Sequence, residues 1–465
     1  MKKILTTLIL AGIILTEVTP AVCFAKTKKT SEPKKISIMK THNMRKKSDQ
    51  FKYEYINYSW WANFNDPILT GYIDKAIKNN YSLKMASIAV DEYYQAIKIQ
   101  FANELPQAGA GFSPAFAKSS GKTTSDWTFA LPAFVNYEAD IFLKNHDKTK
   151  AAKKEYLWAL QDERAAYISI ASAVGATYLN IVKLDKMIAL QEEIVKDRKI
   201  IYELMLLRNK EGLTSTSDTV KANKSYIAGQ TTLTEYNKQR EILLNQLCVL
   251  LGENPENAQS LERISYDELN YSGVIPEEIS SEIIAQRPDY IKAERQIEKA
   301  GIDVRVAKKE FLPTINLTGI AIFLSGNMGS LFTTKNAIAA LAGGALLPIF
   351  TGGARLANLK LKKDEYERLL NNYYQTNITA IQEVNDALST IKHDDKKFRD
   401  TKQQSELEKK DFGISTASYD AGVISKLDLI QLKENVLSTD KLVADQKINC
   451  LVDYIGLYKA VGSQL

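Results

Sequence analysis

Histidine is almost missing from this chain: three occur in 465 residues, and none lies beside another. No Gly-rich phosphate loop, HExxH zinc motif or serine elbow is present either. The usual routes to phosphoryl transfer, metalloproteolysis and acyl transfer therefore have no residues to run on, and no enzyme is expected. The nearest approach to a metal cluster is "KHDDKK" at 392–397. Adjacent residues on a helix point in different directions, so one ion cannot gather His393, Asp394 and Asp395. The run reads as a solvated face, and neither metal nor cofactor is expected. Cysteine is also scarce. Cys248 and Cys450 read as packed thiols without a disulfide framework. Charge of one sign is scarce as well, since the net +6 is spread through interleaved Lys and acidic residues. That pattern describes solvated helix faces and gives no footprint for nucleic acid.

The chain opens on an apolar run. Lys2 and Lys3 precede an apolar stretch at 4–14, and "CFA" at 23–25 has the small-x-small form of a cleavage site, so residues 1–25 read as an export signal. The stretch is too short to span a bilayer, and no later segment has the ~18 uncharged apolar residues of a membrane helix. Cys23 is a candidate for lipid attachment, although "TPAV" before it is a poor lipobox. The basic cluster that follows, within a segment at 26–58, reads as a flexible, solvated leader. A contact with anionic lipid or a partner is the sharper alternative.

What the chain does have is a repeat. "NKEGLTSTSDTVKA" at 209–222 and "YDAGVISKLDLIQL" at 419–432 each place an Asp six residues after a Gly, and both pairs, Gly212/Gly422 and Asp218/Asp428, stand 210 residues apart. "FANELPQAGAGF" pairs with "KKEFLPTINLTG", and "LLNQLCVLLGE" pairs with "YIGLYKAVGSQ". Each half runs helix, short apolar segments after a Pro, a very long helix, a Gly turn and another long helix. The expected divisions are 59–260 and 287–465 for the two repeats, 261–286 for a linker, and 209–217 and 419–427 for the turns. Apolar residues step by three and four from Leu157 through Tyr167, Val174 and Ile181, and again from Leu370 through Ile381 and Ile391. A 3.5-residue period keeps one seam against a neighbouring helix. No Pro interrupts either span, and some 65 residues at 1.5 Å each make a rod of about 100 Å.

The apolar segments at about 106–117, 126–142, 313–324 and 337–350 are long enough for tilted membrane strands. Four strands cannot close a barrel, and lipid forbids open sheet edges. Several chains must then share one barrel, or the strands are not in a membrane. Trp127 reads as an interfacial anchor near a barrel rim, and the other tryptophans as packing.

With "WWANFNDPIL", "NNYSLKMA", "QRPDYIKAERQI", "YEADIF", "LLPIFTGGAR" and "LYKAVG" in order on the duplicated frame, the sequence resembles the TolC-like outer membrane factor family. It is similar in style to the NodT-type channels that serve tripartite RND pumps. The resemblance covers nearly all of the chain beyond the leader. It implies a mostly α protein with transmembrane β: a homotrimer in which each protomer gives four strands to a 12-stranded barrel and long coiled-coil helices to a periplasmic α-barrel. It also implies residence in outer-membrane lipid, a periplasmic adaptor and an inner-membrane pump, expected to be of RND type. The two Gly turns fall at the periplasmic tip, where the family closes its pore. Carried onto this chain, the gate positions are Ser217 and Asp218 in the first repeat and Tyr419, Leu427, Asp428 and Gln431 in the second. Ile424 stands where the family has a gating Arg, and Gln431 where it has a second acidic ring. After "ADIF" the first repeat has "LKN" in place of a Gly-containing turn. The bland alternative for both aspartates is a helix N-terminal charge, worth under about 1 kcal/mol. The alternative for the whole protein is a secreted coiled-coil structural or adhesin-like protein without a pore.

Overall fold

The structure, a computed structural model, describes residues 59–118, 125–276 and 279–462. The expected leader with Cys23, the basic segment at 26–58 and the 119–124 loop lie outside the described residues.

A 3-10 turn at Ser59–Phe64 leads into α1 (Pro67–Asn79) and α2 (Tyr81–Ala102). Strands β1 (Gln107–Ala110), β2 (Ser113–Lys118) and β3 (Ser125–Ala139) follow, then α3 (Lys144–Lys210) and α4 (Thr216–Leu251). After the connecting segment and the short α5 (Ser281–Ile284), the order recurs as α6 (Pro288–Lys309), β4 (Thr314–Ser325), β5 (Ala337–Leu346), α7 (Ala354–Asp420) and α8 (Lys426–Val461). Both long helices have 67 residues and both return helices have 36, with every terminus displaced by 210 positions. A length of 67 residues is about 100 Å of helix.

Local chemistry sets these ends. In the first repeat Leu143 adopts φ 57°, and the Asp140 carboxylate accepts the amides of Lys144 and His146 at 2.6 and 2.8 Å. In the second repeat Gly352 and Gly353 supply the left-handed residues instead, at φ 60° and 83°. The missing glycine is thus replaced by a carboxylate cap, which offsets the cost of a left-handed Leu.

Strands β1 and β2 pair with β3 in one continuous antiparallel register: Gln107 faces Asn136, Ser113 faces Ala130, and Gly111 bridges the gap through the Pro132 carbonyl. They act as a single strand. β3 pairs with β4 and β4 with β5, both antiparallel, so the sheet runs in chain order and ends at two unpaired edges.

The core lies along α3, where Tyr167, Ala171, Val174, Tyr178 and Ile181 are all buried at the expected three-four spacing. The seam of α7 is covered less: Val384 and Ile391 are buried, but Tyr374 and Ile381 are 54% and 42% exposed. α3 packs on α2, α4, α6 and α8, whereas α7 packs extensively on α6 and α8 alone. One window of α3 is apolar enough by composition to cross a membrane, but 61% of it is buried inside the protein, as suits a core helix. Cys248 and Cys450 are both buried free thiols.

Between α7 and α8 lies a cluster of carboxyls. Tyr454 donates to Asp395 at 2.7 Å, and Asp453 faces both Asp394 and Asp395 with one oxygen buried and unpaired. Burial first, and then the neighbouring Asp394 and Asp395, push the Asp453 carboxyl up from 3.8 to about 7. The folded protein therefore holds a proton that the unfolded chain releases. Stability conferred by this group is full at low pH and declines as pH rises toward about 7, with a flat profile above. Asp453→Asn is expected to remove that decline and to raise the thermal midpoint measured near pH 8.

Candidate functional site

Both helical hairpins turn by the same device. Gly212 and Gly422 take φ 70° and 74°, a conformation that Cβ makes costly in other residues. The next residue closes a six-residue ring: the Leu213 amide donates to the Arg208 carbonyl at 2.8 Å, and the Val423 amide to that of Ser418 at 2.9 Å. Three residues after each Gly stands a serine N-cap, and three further on the aspartate. Asp218 and Asp428 each receive the serine hydroxyl at 2.7 Å and return the backbone amide to it, at 3.1 and 3.2 Å. The recurring Gly-to-Asp spacing is thus a helix stop, a two-residue link and a serine N-cap bonded to the aspartate three positions on, completed as a full capping box at Ser425.

Capping leaves both carboxylates at the surface and ionised. The Ser215 hydroxyl, then Lys221 at 3.2 Å, hold Asp218 below its ordinary pKa; the Ser425 hydroxyl and amide do the same for Asp428. Asp428 has no ion-pair partner among the described residues, so its charge is the more available to solvent ions. Ser217 and Gln431 are exposed, whereas Tyr419 and Leu427 are half-buried. The structure collects Ser217 with Asp218 on one tip, and Tyr419, Leu427, Asp428 and Gln431 on the other. Among the described residues no hydrogen bond joins Tyr419 to Asp218, whose carboxylate takes Ser215 and Lys221.

Above the tips, α3 and α8 are joined by groups that the sequence reading did not single out. Arg198 donates to Glu434 and to the Ser225 carbonyl of α4 at 3.0 Å. Seven residues earlier, the buried Gln191 accepts Lys441 at 2.8 Å and donates to the Gly229 carbonyl at 3.0 Å. The seven-residue spacing on both helices was the available signal, but polar residues do not register in an apolar seam count.

The sheet has two unlike faces. Trp127, Phe129, Leu131, Val135 and Tyr137 alternate onto one, and Phe116 packs its ring on Trp127 there with centroids 5.1 Å apart. Asn136 and Glu138 lie on the other, opposite Thr318 and Asn316 in register. A largely apolar face with aromatic residues at both ends, whose one charged position in the paired register is Lys118 beside Ser125 at the strand end, is the pattern of strands that meet lipid. On β5 that face carries Ala339, Leu341 and Gly343, opposite Ala321, Gly319 and Leu317.

Comparison with known proteins agrees with this architecture. The outer membrane efflux protein family profile matches twice, at residues 72–253 and 279–463. TtgC of Pseudomonas putida, described as a probable efflux pump outer membrane protein, is 27% identical over 412 residues, 87% of this chain and 84% of that one. The cation efflux system protein CusC of Escherichia coli is 26% identical over 416 residues, 88% and 89% of the two chains. The crystal structure of the Campylobacter jejuni CmeC outer membrane channel superposes with a TM-score of 0.79 at 26% identity, covering 87% of each chain.

Proposed function

The chain belongs to the outer membrane efflux protein family, and from that premise we propose a homotrimeric conduit, gated at the tip of its two helical hairpins. The coarser function follows from the family: an outer-membrane efflux channel extending into the periplasm, without enzymatic activity, that works with an adaptor and an inner-membrane pump. A pump of the RND class is the partner we infer. A secreted coiled-coil protein without a pore is not favoured, since it leaves the aromatic, largely apolar face of the sheet without a role.

The observation that carries the trimer is the pair of unpaired sheet edges, β1–β2 and β5, on a sheet with one largely apolar face. Lipid offers no hydrogen bonds to such edges, so each must pair with another copy. Three copies of a four-strand unit close a barrel of twelve. Fractionation followed by planar-bilayer recording tests this: the purified protein should insert from the outer-membrane fraction as a trimer and conduct. A soluble, non-conducting product would overturn it.

For the gate we infer that Asp428 forms a threefold acidic ring beside Leu427 and Gln431, and that Asp218 with Ser217 meets Tyr419 of a neighbouring copy. Fixed negative charge at a constriction raises the local cation concentration. Asp428→Asn keeps an acceptor for the cap and is expected to lower the cation-over-anion permeability ratio about two- to fivefold, read from reversal potentials in a salt gradient. Asp218→Asn with Tyr419→Phe is expected to raise the resting conductance. An unchanged trace would remove both residues from the gate.

A further inference from the structure

Within one chain the two repeats touch in one direction. α3 of the first packs along α8 of the second, and β3 pairs with β4. Among the described residues the converse contacts, α7 packed extensively on α4 and β5 paired with β1–β2, are not made. A ring of copies has to supply them, and the α3–α8 seam indicates what they contain.

On α8 that seam presents positions 430, 434, 437 and 441, one face of a helix. Glu434 meets Arg198, Lys441 meets Gln191, and Ile430 and Leu437 are each 7% exposed. The residues 210 positions earlier lie on α4: Val220, Lys224, Ile227 and Thr231. This face is uncovered, with Val220 and Ile227 53% and 51% exposed. The counterpart of Arg198, 210 positions later on α7, is Glu408, and beside it Leu407 is 60% exposed. Neither Lys224 nor Glu408 has an ion-pair partner among the described residues. The charges at these repeat-related positions are therefore opposite in sign to those of the α3–α8 pair, negative on the long helix and positive on the return helix. A contact between the two faces across copies would keep the complementarity of that pair.

Resting on the trimeric-channel reading, we propose that Glu408 pairs with Lys224 of a neighbouring copy, with Leu407 packed against Val220 and Ile227 of that copy. The opposite polarity also keeps the two seams distinct. A copy docked with its α3 on a neighbour's α4 sets Arg198 against Lys224, a like-charge contact that opposes the wrong pairing.

The test uses the full-length protein in detergent. Lys224→Cys combined with Glu408→Cys, treated with a short bis-maleimide, should give two- and three-chain bands on a denaturing gel, and neither single variant should. Arg198→Cys combined with Glu434→Cys should link within one chain and migrate as a monomer. In parallel, Glu408→Lys or Lys224→Glu alone should lower the assembled fraction about three- to tenfold, and the two together should restore it to within about twofold. A wild-type trimer that conducts, with no multi-chain bands from the paired cysteines or no rescue by the double reversal, would overturn the pair while leaving the channel standing. A wild-type protein that neither assembles nor conducts overturns the channel reading and the pair with it.

Discussion

Leu341→Arg is expected to prevent stable insertion of this protein into the outer membrane. Leu341 is 84% exposed, lies mid-strand on β5 opposite Gly319, and shares the largely apolar face with Val135. A guanidinium placed toward lipid at the bilayer midplane costs about 2–4 kcal/mol, and a trimer carries that cost three times. The loss should appear as material missing from the outer-membrane fraction and a fall in heat-stable trimer on gels. The neighbouring Ala342→Arg is the control. Ala342 is opposite Thr318, on the face that carries Asn136 and Glu138, so its substitution should leave insertion intact. Equal losses from both variants would mean that the faces have been assigned wrongly. The pair thus separates the lipid-facing claim from general damage to β5.

The second large effect is expected from Asp66→Ala. The carboxylate is 2% exposed and takes three hydrogen bonds: the Ile68 and Leu69 amides at 2.8 and 3.0 Å, which cap α1, and the Tyr178 hydroxyl at 2.6 Å. That hydroxyl in turn accepts the Ile264 amide at 2.9 Å. One carboxylate therefore joins the start of the first repeat, the middle of α3 and the connecting segment after α4. Removing it loses a cap worth about 1 kcal/mol and leaves the buried hydroxyl short of an acceptor, about 1–3 kcal/mol more. Asp66→Asn keeps an acceptor for the cap and should lose roughly 1 kcal/mol less. Thermal midpoints should order wild type, Asn, Ala, and hydrogen exchange at residues 261–276 should quicken in the Ala variant. Unchanged exchange there would confine Asp66 to a local cap.

The repeat, the long helices and the turns were legible in the sequence because each depends on residues close together in the chain. Gly212, Ser215 and Asp218 span seven positions and contain a complete helix stop and start. The absence of Pro from 144–210 and 354–420 leaves nothing to end a helix sooner. The strands were legible more coarsely. β3 stops at Ala139, before the end of the apolar run, because Asp140 turns back to cap α3. Composition carries no trace of that competition.

The Gly-to-Asp turns also show where the sequence stops. Their aspartates invite a functional role, and the structure gives each a capping role that is sufficient to account for its position. The gate assignment therefore rests on what three copies place around an axis, which no single chain contains. The clasp of Arg198 and Glu434 joins residues 236 positions apart, and Tyr178 reaches Asp66 across 112. Periodicity states which residues face a seam, but not which polar group across it supplies the partner. Apolar burial is tolerant, since any side chain of suitable volume covers another. A buried carboxylate or guanidinium requires one group at hydrogen-bond distance and angle, and only the packed helices bring that group there. The sequence by itself determined the two-fold repeat, the lengths of its helices and the chemistry of its turns. The tertiary structure decided which faces are covered within the chain and which, on α4, α7 and the sheet edges, are left uncovered.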